Sequence, residues 1–247
     1  MSFRFKQFFV EDSRCAMKVG TDGVLLGAWC PLADNLPPQA CILDIGTGCG
    51  LIALMLAQRT HAQIDAIDID SEAVEQAKEN FESSPWSEHL HAYHARLQEW
   101  QFAHDPLPAS SQPFYHIIVS NPPYFQNSLK NPDSGRQTAR HTDTLSYNEL
   151  LLHSTRLLGP QGHLALILPA ESENEVCRLA EQYSLCLSRV TRVYSKSTKP
   201  ARRVLLFFSK SPLPEHGAPL ITPPLVLEDE KGGRSEQYAE LTKDFYL

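Results

Sequence analysis

Short apolar runs alternate with amphipathic segments along most of the chain. Residues 71–82 have the helical period, with apolar side chains three or four positions apart and charged side chains between them. Regular alternation of strands and helices favours βαβ units, and therefore an α/β fold with a mostly parallel sheet. The predicted strands are residues 42–45, 64–68, 91–95, 114–119, 162–168, 185–193 and 204–209, and the predicted helices are residues 51–58, 71–82, 97–102, 147–158 and 171–183.

The two ends of the chain are less regular. Residues 3–10 alternate aromatic and polar side chains, which suits either an edge strand or an aromatic patch. A further helix is predicted from Val24, and the side chain of Thr21 or of Asp22 would cap it. Residues 235–247 favour either a short helix or a strand.

Length and composition restrict the class of protein. A chain of 247 residues that is 42% hydrophobic can form one sizeable core, so we expect a single domain over residues 1–247, in which residues 1–40 precede the first core strand. No segment has the layout of a signal peptide or the roughly eighteen apolar residues of a membrane span, so we expect a cytoplasmic monomer that does not contact a membrane. The six cysteines form no C-x-x-C pair, and we expect neither disulfides nor a metal site.

A glycine-rich turn follows the first core strand. Asp44 is followed by Gly46, Gly48 and Gly50, after which helix-compatible residues resume. Glycine allows a positive φ and lets a ligand approach the backbone, and the helix that follows presents unpaired N–H groups. The spacing D-x-G-x-G-x-G differs from the dinucleotide fingerprint G-x-G-x-x-G. Eighteen residues beyond Gly50, the second strand ends at Asp68, where a carboxylate can hold two ribose hydroxyls.

A second motif follows the fourth predicted strand. Asn121, Pro122, Pro123 and Tyr124 come directly after the apolar run that ends at residue 119. Proline cannot donate ladder hydrogen bonds, so the strand must end and the loop is stiff. Rigidity at the carboxyl edge of a sheet is what a catalytic loop requires.

Charge is distributed unevenly. The formal net charge of −7 and the pI near 5.8 argue against non-specific coating of nucleic acid, so any nucleic-acid site must be local. The clearest basic stretch is residues 188–203, which contains no acid and is either a solvated surface loop or a binding site. The polar loop 126–145 adds further cations. The candidate phosphate-binding residues of these two segments are Lys130, Arg136, Arg140, Lys196, Lys199, Arg202 and Arg203.

With these motifs in view, the chain resembles a known enzyme family. The glycine turn resembles the first motif of the Rossmann-like S-adenosylmethionine-dependent methyltransferases, and N-P-P-Y resembles the signature of those that methylate planar amino groups. The wider resemblance is to the bacterial valine-tRNA adenine N6-methyltransferases. It rests on F-K-Q-F-F-V at 5–10, A-M-K-V-G-T-D-G at 16–23, L-D-I-G at 43–46, S-N-P-P-Y at 120–124, R-V-L-L at 203–206 and the final F-Y-L.

The resemblance implies a class I methyltransferase fold, with a mostly parallel seven-stranded sheet and helices on both faces. It further implies methylation of the adenine 3′ of the anticodon in a valine tRNA, and not of DNA. Asn121 and Pro122 would accept hydrogen bonds from the adenine amino group, and Tyr124 would stack on the base. The implied S-adenosylmethionine contacts are Lys18, Gly20, Thr21, Asp44, Gly46, Gly48, Gly50, Asp68, Ile69, Leu97 and Asn121, of which Asp68 would hold the ribose and Ile69 would pack on the adenine.

One residue departs from the family pattern. Arg96 stands where an acid usually accepts a hydrogen bond from the cofactor's adenine, so either the backbone near Leu97 or packing alone must hold that ring. Two alternatives stay open. A glutamine N5-methyltransferase of release factors shares the N-P-P-Y chemistry but usually carries a helical domain before the glycine motif. A catalytically inactive, cofactor-binding RNA chaperone would be consistent with Arg96 but not with an intact N-P-P-Y.

Overall fold

The computed structural model describes residues 2–32, 36–37, 39–103, 114–123, 145–211 and 218–247. Its strands and helices alternate as the hydrophobic pattern predicts. In chain order the strands are β1 (Ser2–Arg4), β2 (Phe9–Glu11), β3 (Cys41–Ile45), β4 (Gln63–Asp68), β5 (Leu90–His94), β6 (Tyr115–Ser120), β7 (Leu158–Pro169), β8 (Cys186–Tyr194), β9 (Ala201–Ser209), β10 (Leu220–Ile221) and β11 (Leu225–Val226). The α-helices are α1 (Thr21–Trp29), α2 (Leu51–Ala57), α3 (Ser71–Glu82), α4 (Tyr147–Leu157), α5 (Glu173–Gln182) and α6 (Glu236–Thr242).

A single large sheet runs through the described part of the chain. Seven strands follow the order β8-β9-β7-β6-β3-β4-β5, and β10 and β11 each add two residues beside β8. Neighbouring strands are parallel except where β9 lies antiparallel to β7 and to β8. The prediction of a mostly parallel α/β sheet is confirmed. The strand order reverses at β3, which pairs with both β4 and β6, and ligands of such sheets bind at the carboxyl ends of these strands.

Helices cover both faces of this sheet. Successive side chains of a strand point to opposite faces, so Ile42 of β3 packs with α1, α2 and α3, while Leu43 packs with α4 and α5. The apolar positions predicted for residues 71–82 are those by which α3 joins the first of these clusters, among them Val74 and Phe81. The hydrophobic period therefore identified the buried face of this helix correctly.

The chain termini pack against each other. Strands β1 and β2 form an antiparallel hairpin, and the rings of Phe5 and Phe8 stack behind it at a centroid distance of 4.6 Å. Tyr246 stacks on Phe5 from the other end of the chain, and the backbone N–H of Lys6 donates to the carbonyl of Phe245 at 2.8 Å. The alternating aromatic pattern of residues 3–10 thus produces both a short strand pair and an aromatic patch.

Two local predictions are wrong. Only residues 97–99 form a turn, and residues 100–102 have no regular structure, instead of the helix predicted for 97–102. A segment this short offers few backbone hydrogen bonds for the residues that a helix would fix, and the indole N–H of Trp100 donates to the Tyr115 hydroxyl at 3.1 Å. Helix α1 begins at Thr21 behind Gly20, with no side-chain cap from Thr21 or Asp22. The Asp22 carboxylate instead pairs with the guanidinium of Arg203 at 2.8 Å.

Three further features concern the cysteines, the helices and the side chains that could bind a metal. All six cysteines carry free thiols. Within the described ranges, no helix combines the length and hydropathy that a bilayer crossing requires. The same ranges contain no group of three or more histidine, cysteine or acidic side chains arranged to hold a metal ion.

Candidate active site

A cavity of about 680 Å³ opens at the carboxyl ends of β3, β4, β5 and β6. Its walls come from six separate stretches of chain: the segment that leads into α1, the glycine turn, the loops after β4, β5 and β6, and the start of α4 with the residue Leu145 before it. The predicted site residues that line it are Lys18, Gly20, Thr21, Gly46, Gly48, Asp68, Ile69, Leu97, Asn121, Pro122 and Pro123. Most of the residues selected from separate motifs therefore lie around one space.

The three glycines of the turn have left-handed backbones but different surroundings. Their φ angles are +70°, +55° and +81° for Gly46, Gly48 and Gly50. A Cβ on Gly46 or Gly48 would meet no atom within 4 Å, whereas a Cβ on Gly50 would lie 2.9 Å from Cζ of Phe81 and closer still to Cε1. Gly46 and Gly48 thus leave room at the cavity wall, while Gly50 lets the turn pack against α3. Gly50 itself does not line the cavity.

Asp68 fixes the glycine turn from the neighbouring strand. Its Oδ2 accepts the backbone N–H of Gly48 at 2.9 Å, and its Oδ1 accepts that of Asp70 at 3.0 Å. A carboxylate oxygen accepts more than one hydrogen bond, so both oxygens keep capacity for a ligand's hydroxyl groups. Asp70 has a different task, because its side chain caps α3 by accepting the N–H of Glu72 at 3.0 Å.

Asp44 lies behind the turn and not in the cavity wall. It is fully buried, and its Oδ2 accepts the hydroxyl hydrogen of Thr47 at 2.7 Å. Burial raises the pKa of Asp44 to about 7, although the bond from Thr47 opposes that shift. Its side chain contacts the turn, so a role at the cofactor stays a prediction.

The segment before α1 forms the opposite wall as a closed loop. The Asp12 carboxylate accepts the N–H of Val19 at 3.0 Å, and the ammonium of Lys18 donates to the carbonyls of Asp12 and Ser13 at 2.7 and 3.1 Å. The ammonium group of Lys18 thus stabilises the conformation of this loop, and Lys18 also lines the cavity. Asn80 of α3 ties this region to the turn, because its amide donates to the carbonyls of Glu11 and Cys49, each at 2.8 Å.

The loop after β6 brings the N-P-P motif to the cavity. The Ser120 hydroxyl donates to the carbonyl of Ile45 at 2.8 Å, which joins the start of this loop to the strand that carries the glycine turn. Pro122 is buried, and Asn121 is half-buried with its Nδ2 3.9 Å from the sulfur of Met17. Tyr124 lies outside the described residues. A stiff loop therefore presents the Asn121 side chain beside the glycine turn.

Comparison with known proteins agrees with this arrangement. The family model "Methyltransferase small domain" matches residues 30–186. A tRNA1(Val) (adenine(37)-N6)-methyltransferase of Parabacteroides distasonis is 46% identical over 99% of this chain and 97% of its own length. One of the same name from Flavobacterium johnsoniae is 44% identical over 99% of both chains. The chain belongs to the tRNA1(Val) (adenine(37)-N6)-methyltransferase family. In fold it is similar to a predicted O-methyltransferase of Agrobacterium tumefaciens, with a TM-score of 0.65, 18% identity, and coverage of 91% of this chain and 96% of that one.

Several cavity residues of this family member were missed by the sequence analysis. Met17 and Asp22 lie within the A-M-K-V-G-T-D-G segment, but a methionine and an expected helix cap gave no sign of a cavity wall. Gln98 and Glu149 also line the cavity, and the Gln98 Nε2 donates to the Glu149 Oε1 at 3.3 Å. No sequence pattern indicates that two residues so far apart in the chain are in contact. Arg96, at the position usually held by an acid, did indicate that this part of the site is unusual.

Four of the predicted RNA-binding residues, Lys196, Lys199, Arg202 and Arg203, lie within the described residues and do not line the cavity. Strand β8 ends and β9 begins at the edge of the sheet where the cavity opens, because Arg203 pairs with Pro169, the last residue of β7. Lys196 and Lys199 lie in the connection between these strands, which we call the basic hairpin (residues 194–203). Arg203 is ion-paired with Asp22, and Lys196 with Glu228 at 3.3 Å. The remaining candidates, Lys130, Arg136 and Arg140, lie outside the described residues.

Proposed function

We propose that this protein transfers the methyl group of S-adenosylmethionine to N6 of adenine 37 in a valine tRNA. The two relatives of that name match it over nearly its whole length. The observation that carries the proposal is that the glycine turn and the Asn121-Pro122 pair end adjacent strands and line one cavity. This arrangement supports a cofactor site beside a group that can bind a planar amine.

The cavity suits S-adenosylmethionine, which when bound supplies an electrophilic methyl group on a sulfonium. Gly46 and Gly48 leave open space at the wall, which any Cβ would fill. Asp68 would accept the ribose hydroxyls, and the side chain of Ile69, 48% exposed, is available to pack on an adenine ring. We assign the adenine end of the cavity to Ile69 and Leu97 and the methyl end to Gly46 and Asn121.

Asn121 and Pro122 would activate the target amine. An exocyclic adenine amine is a weak nucleophile because its lone pair is delocalised into the ring. If the Asn121 side-chain carbonyl and the Pro122 backbone carbonyl each accept one N–H, the nitrogen is drawn toward tetrahedral geometry and its lone pair turns toward the methyl group. Tyr124 completes the motif as our prediction for the residue that stacks on the base.

The activation needs no carboxylate base before transfer. The cavity-lining acids of the described residues already have partners: Asp22 pairs with Arg203, Asp68 accepts from Gly48 and Asp70, Asp70 caps α3, and Glu149 accepts from Ser146. Methyl transfer would break the sulfur–methyl bond, leaving S-adenosylhomocysteine and a positively charged methylated nitrogen, which would then release its proton to water. The residues around Asn121 therefore need only orient the amine.

The basic hairpin is our candidate for tRNA phosphates, because it stands at the same edge of the sheet as Asn121. Arg203 is held by Asp22 in a partly buried ion pair, whereas the pair of Lys196 with Glu228 is exposed. We therefore assign Lys196, Lys199 and Arg202 to RNA. Phosphate contacts position the RNA without reading it, and the flipped adenine would be selected by the cavity.

The hairpin assignment is tested with the double variant Lys199→Ala/Arg202→Ala. It should weaken tRNA binding and lower the slope of log K against log salt by about 0.7–0.9 for each phosphate that the variant no longer neutralises. Lys6→Ala/Lys243→Ala is the matched control, since it removes the same charge near the carboxyl end of α2, away from the catalytic edge. Equal weakening in both variants would mean that net charge alone matters.

The function itself is tested in cells. Mass spectrometry of valine tRNA from a strain lacking the gene should show the loss of one N6-methyladenosine, and the wild-type gene should restore it. A gene carrying Asn121→Ala should not restore this nucleoside. Valine tRNA that keeps this nucleoside without the gene would refute the proposal.

A further inference from the structure

The position after β5 lacks the acid that holds the cofactor's adenine in related enzymes. Arg96 occupies it, its side chain is exposed, and a guanidinium cannot accept a hydrogen bond. The adenine amino group therefore needs an acceptor from elsewhere in the cavity wall, or none. Two residues further along, Gln98 is half-buried and lines the same cavity.

Gln98 belongs to the loop after β5, which contacts the end of β4 that carries Asp68. The backbone N–H of Ala95 donates to the carbonyl of Asp68 at 3.0 Å, so the loop after β5 runs beside the carboxylate assigned to the ribose. Ile69, which follows Asp68, and Leu97, which precedes Gln98, both line the cavity. A purine attached to a ribose held at Asp68 would therefore extend toward Gln98.

The Gln98 amide has a defined orientation. Its Nε2 donates to Oε1 of Glu149 at 3.3 Å, and a carboxylate can only accept, so the NH₂ group and not the carbonyl must face Glu149. The carbonyl oxygen Oε1 of Gln98 consequently points away from Glu149. Within the described part of the chain, no donor occupies that oxygen.

Glu149 is itself held in place. Its Oε2 accepts the backbone N–H of Ser146 at 3.0 Å and the Ser146 hydroxyl at 2.7 Å, as part of the capping box that begins α4. The bonds from Ser146, followed by that from Gln98, lower the pKa of Glu149, so it remains charged at neutral pH. A fixed carboxylate thus orients a neutral amide at the cavity wall.

We propose that the Gln98 carbonyl accepts a hydrogen bond from the 6-amino group of the cofactor's adenine, and that Glu149 positions Gln98 for this contact. Gln98 then supplies the acceptor that Arg96 cannot. The inference rests on the proposed function, because it takes the ligand of the cavity to be S-adenosylmethionine.

Calorimetry with two product analogues tests the contact without an activity measurement. S-adenosylhomocysteine has the 6-amino donor, whereas S-inosylhomocysteine has a carbonyl oxygen at that position. The wild-type protein should prefer the adenosyl compound. Gln98→Ala should weaken binding of the adenosyl compound about tenfold, the order expected for one neutral hydrogen bond, and leave the affinity for the inosyl compound nearly unchanged. Glu149→Gln keeps a residue that can complete the capping box and should lower the same ratio, because the amide of Gln98 loses its fixed acceptor.

Two further variants make the result specific. Gln101→Ala alters an exposed glutamine of the same loop outside the cavity lining and should leave both affinities unchanged. Adding Arg96→Asp to Gln98→Ala should restore the preference for the adenosyl compound, because it supplies the usual acid. A ratio unchanged by Gln98→Ala, or equal weakening of both compounds, would overturn the inference. Failure of the wild-type protein to bind either compound would overturn the proposed function itself.

Discussion

Replacing Gly50 by alanine puts a methyl group where the ring of Phe81 already lies. The added Cβ would be 2.9 Å from Cζ of that ring, at a backbone φ of +81°. The left-handed backbone costs about 1–2 kcal/mol for a residue with a side chain, and overpacking typically costs about 1–3 kcal/mol. The reduced entropy of the unfolded chain offsets about 0.4–1 kcal/mol. We therefore expect Gly50→Ala to lower the free energy of unfolding by about 2–4 kcal/mol.

Gly48→Ala is the matched control. Its φ of +55° imposes similar backbone strain, but its Cβ would meet no atom within 4 Å, so we expect a net loss of only about 1 kcal/mol. For a protein of this size, 1 kcal/mol corresponds to about 2–4 °C in melting temperature. Thermal melts should thus show a loss of about 4–16 °C for Gly50→Ala and about 4 °C or less for Gly48→Ala.

The two variants should also separate in ligand binding. The added methyl group of Gly48→Ala lies at the cavity wall, so calorimetry should show weaker binding of S-adenosylhomocysteine. Gly50→Ala, measured well below its melting temperature, should bind it nearly as the wild type does. Equal melting temperatures for the two variants would refute the assignment of Gly50 to packing and of Gly48 to the cavity.

Three further predictions concern side chains of the site. Asp68→Ala should weaken S-adenosylhomocysteine binding by about ten- to a hundredfold in calorimetry, the scale of a charge-assisted hydrogen bond, with a smaller loss for Asp68→Asn; unchanged affinity would transfer the ribose role to Asp70. Burial raises the pKa of Asp44 to about 7, so the stabilisation from its bound proton is complete below about pH 4 and is lost as the pH rises through 7. Urea denaturation without cofactor should therefore show Asp44→Asn gaining stability relative to the wild type between pH 4 and pH 8, and a pH-independent difference would contradict this. Asn121→Ala should lower turnover by about two to three orders of magnitude in a steady-state methylation assay with little change in cofactor affinity, and a variant with full turnover would show that Asn121 is not catalytic.

The parts of the fold predicted from sequence were those governed by local pattern. The period of residues 71–82 identified the buried face of α3, and short apolar runs placed the core strands within a few residues. The glycine turn was recognisable because its left-handed backbone favours glycine. Asp68 was recognisable because it ends a strand at the edge of the sheet where ligands bind. Adjacent parallel strands then bring Asp68 and Gly48 together, as their 2.9 Å hydrogen bond shows.

The features that were missed depend on contacts between distant segments. Thr21 and Asp22 were predicted caps, yet Asp22 pairs with Arg203, 181 residues away in the chain. The spacing of apolar residues over 97–102 predicts a helix, but it cannot show that the indole of Trp100 forms a hydrogen bond with Tyr115 on β6. The contact between Gln98 and Glu149 likewise exists only once α4 has packed beside the loop after β5.

The central claim is tested most directly by methylation of defined transcripts. The purified protein is incubated with labelled S-adenosylmethionine and an unmodified valine tRNA transcript, or with the same transcript carrying guanine in place of adenine 37, and the products are digested for nucleoside mass spectrometry. We expect one N6-methyladenosine per molecule in the first transcript and no label in the second. Equal labelling of both transcripts, or label in any other methylated nucleoside, would contradict it.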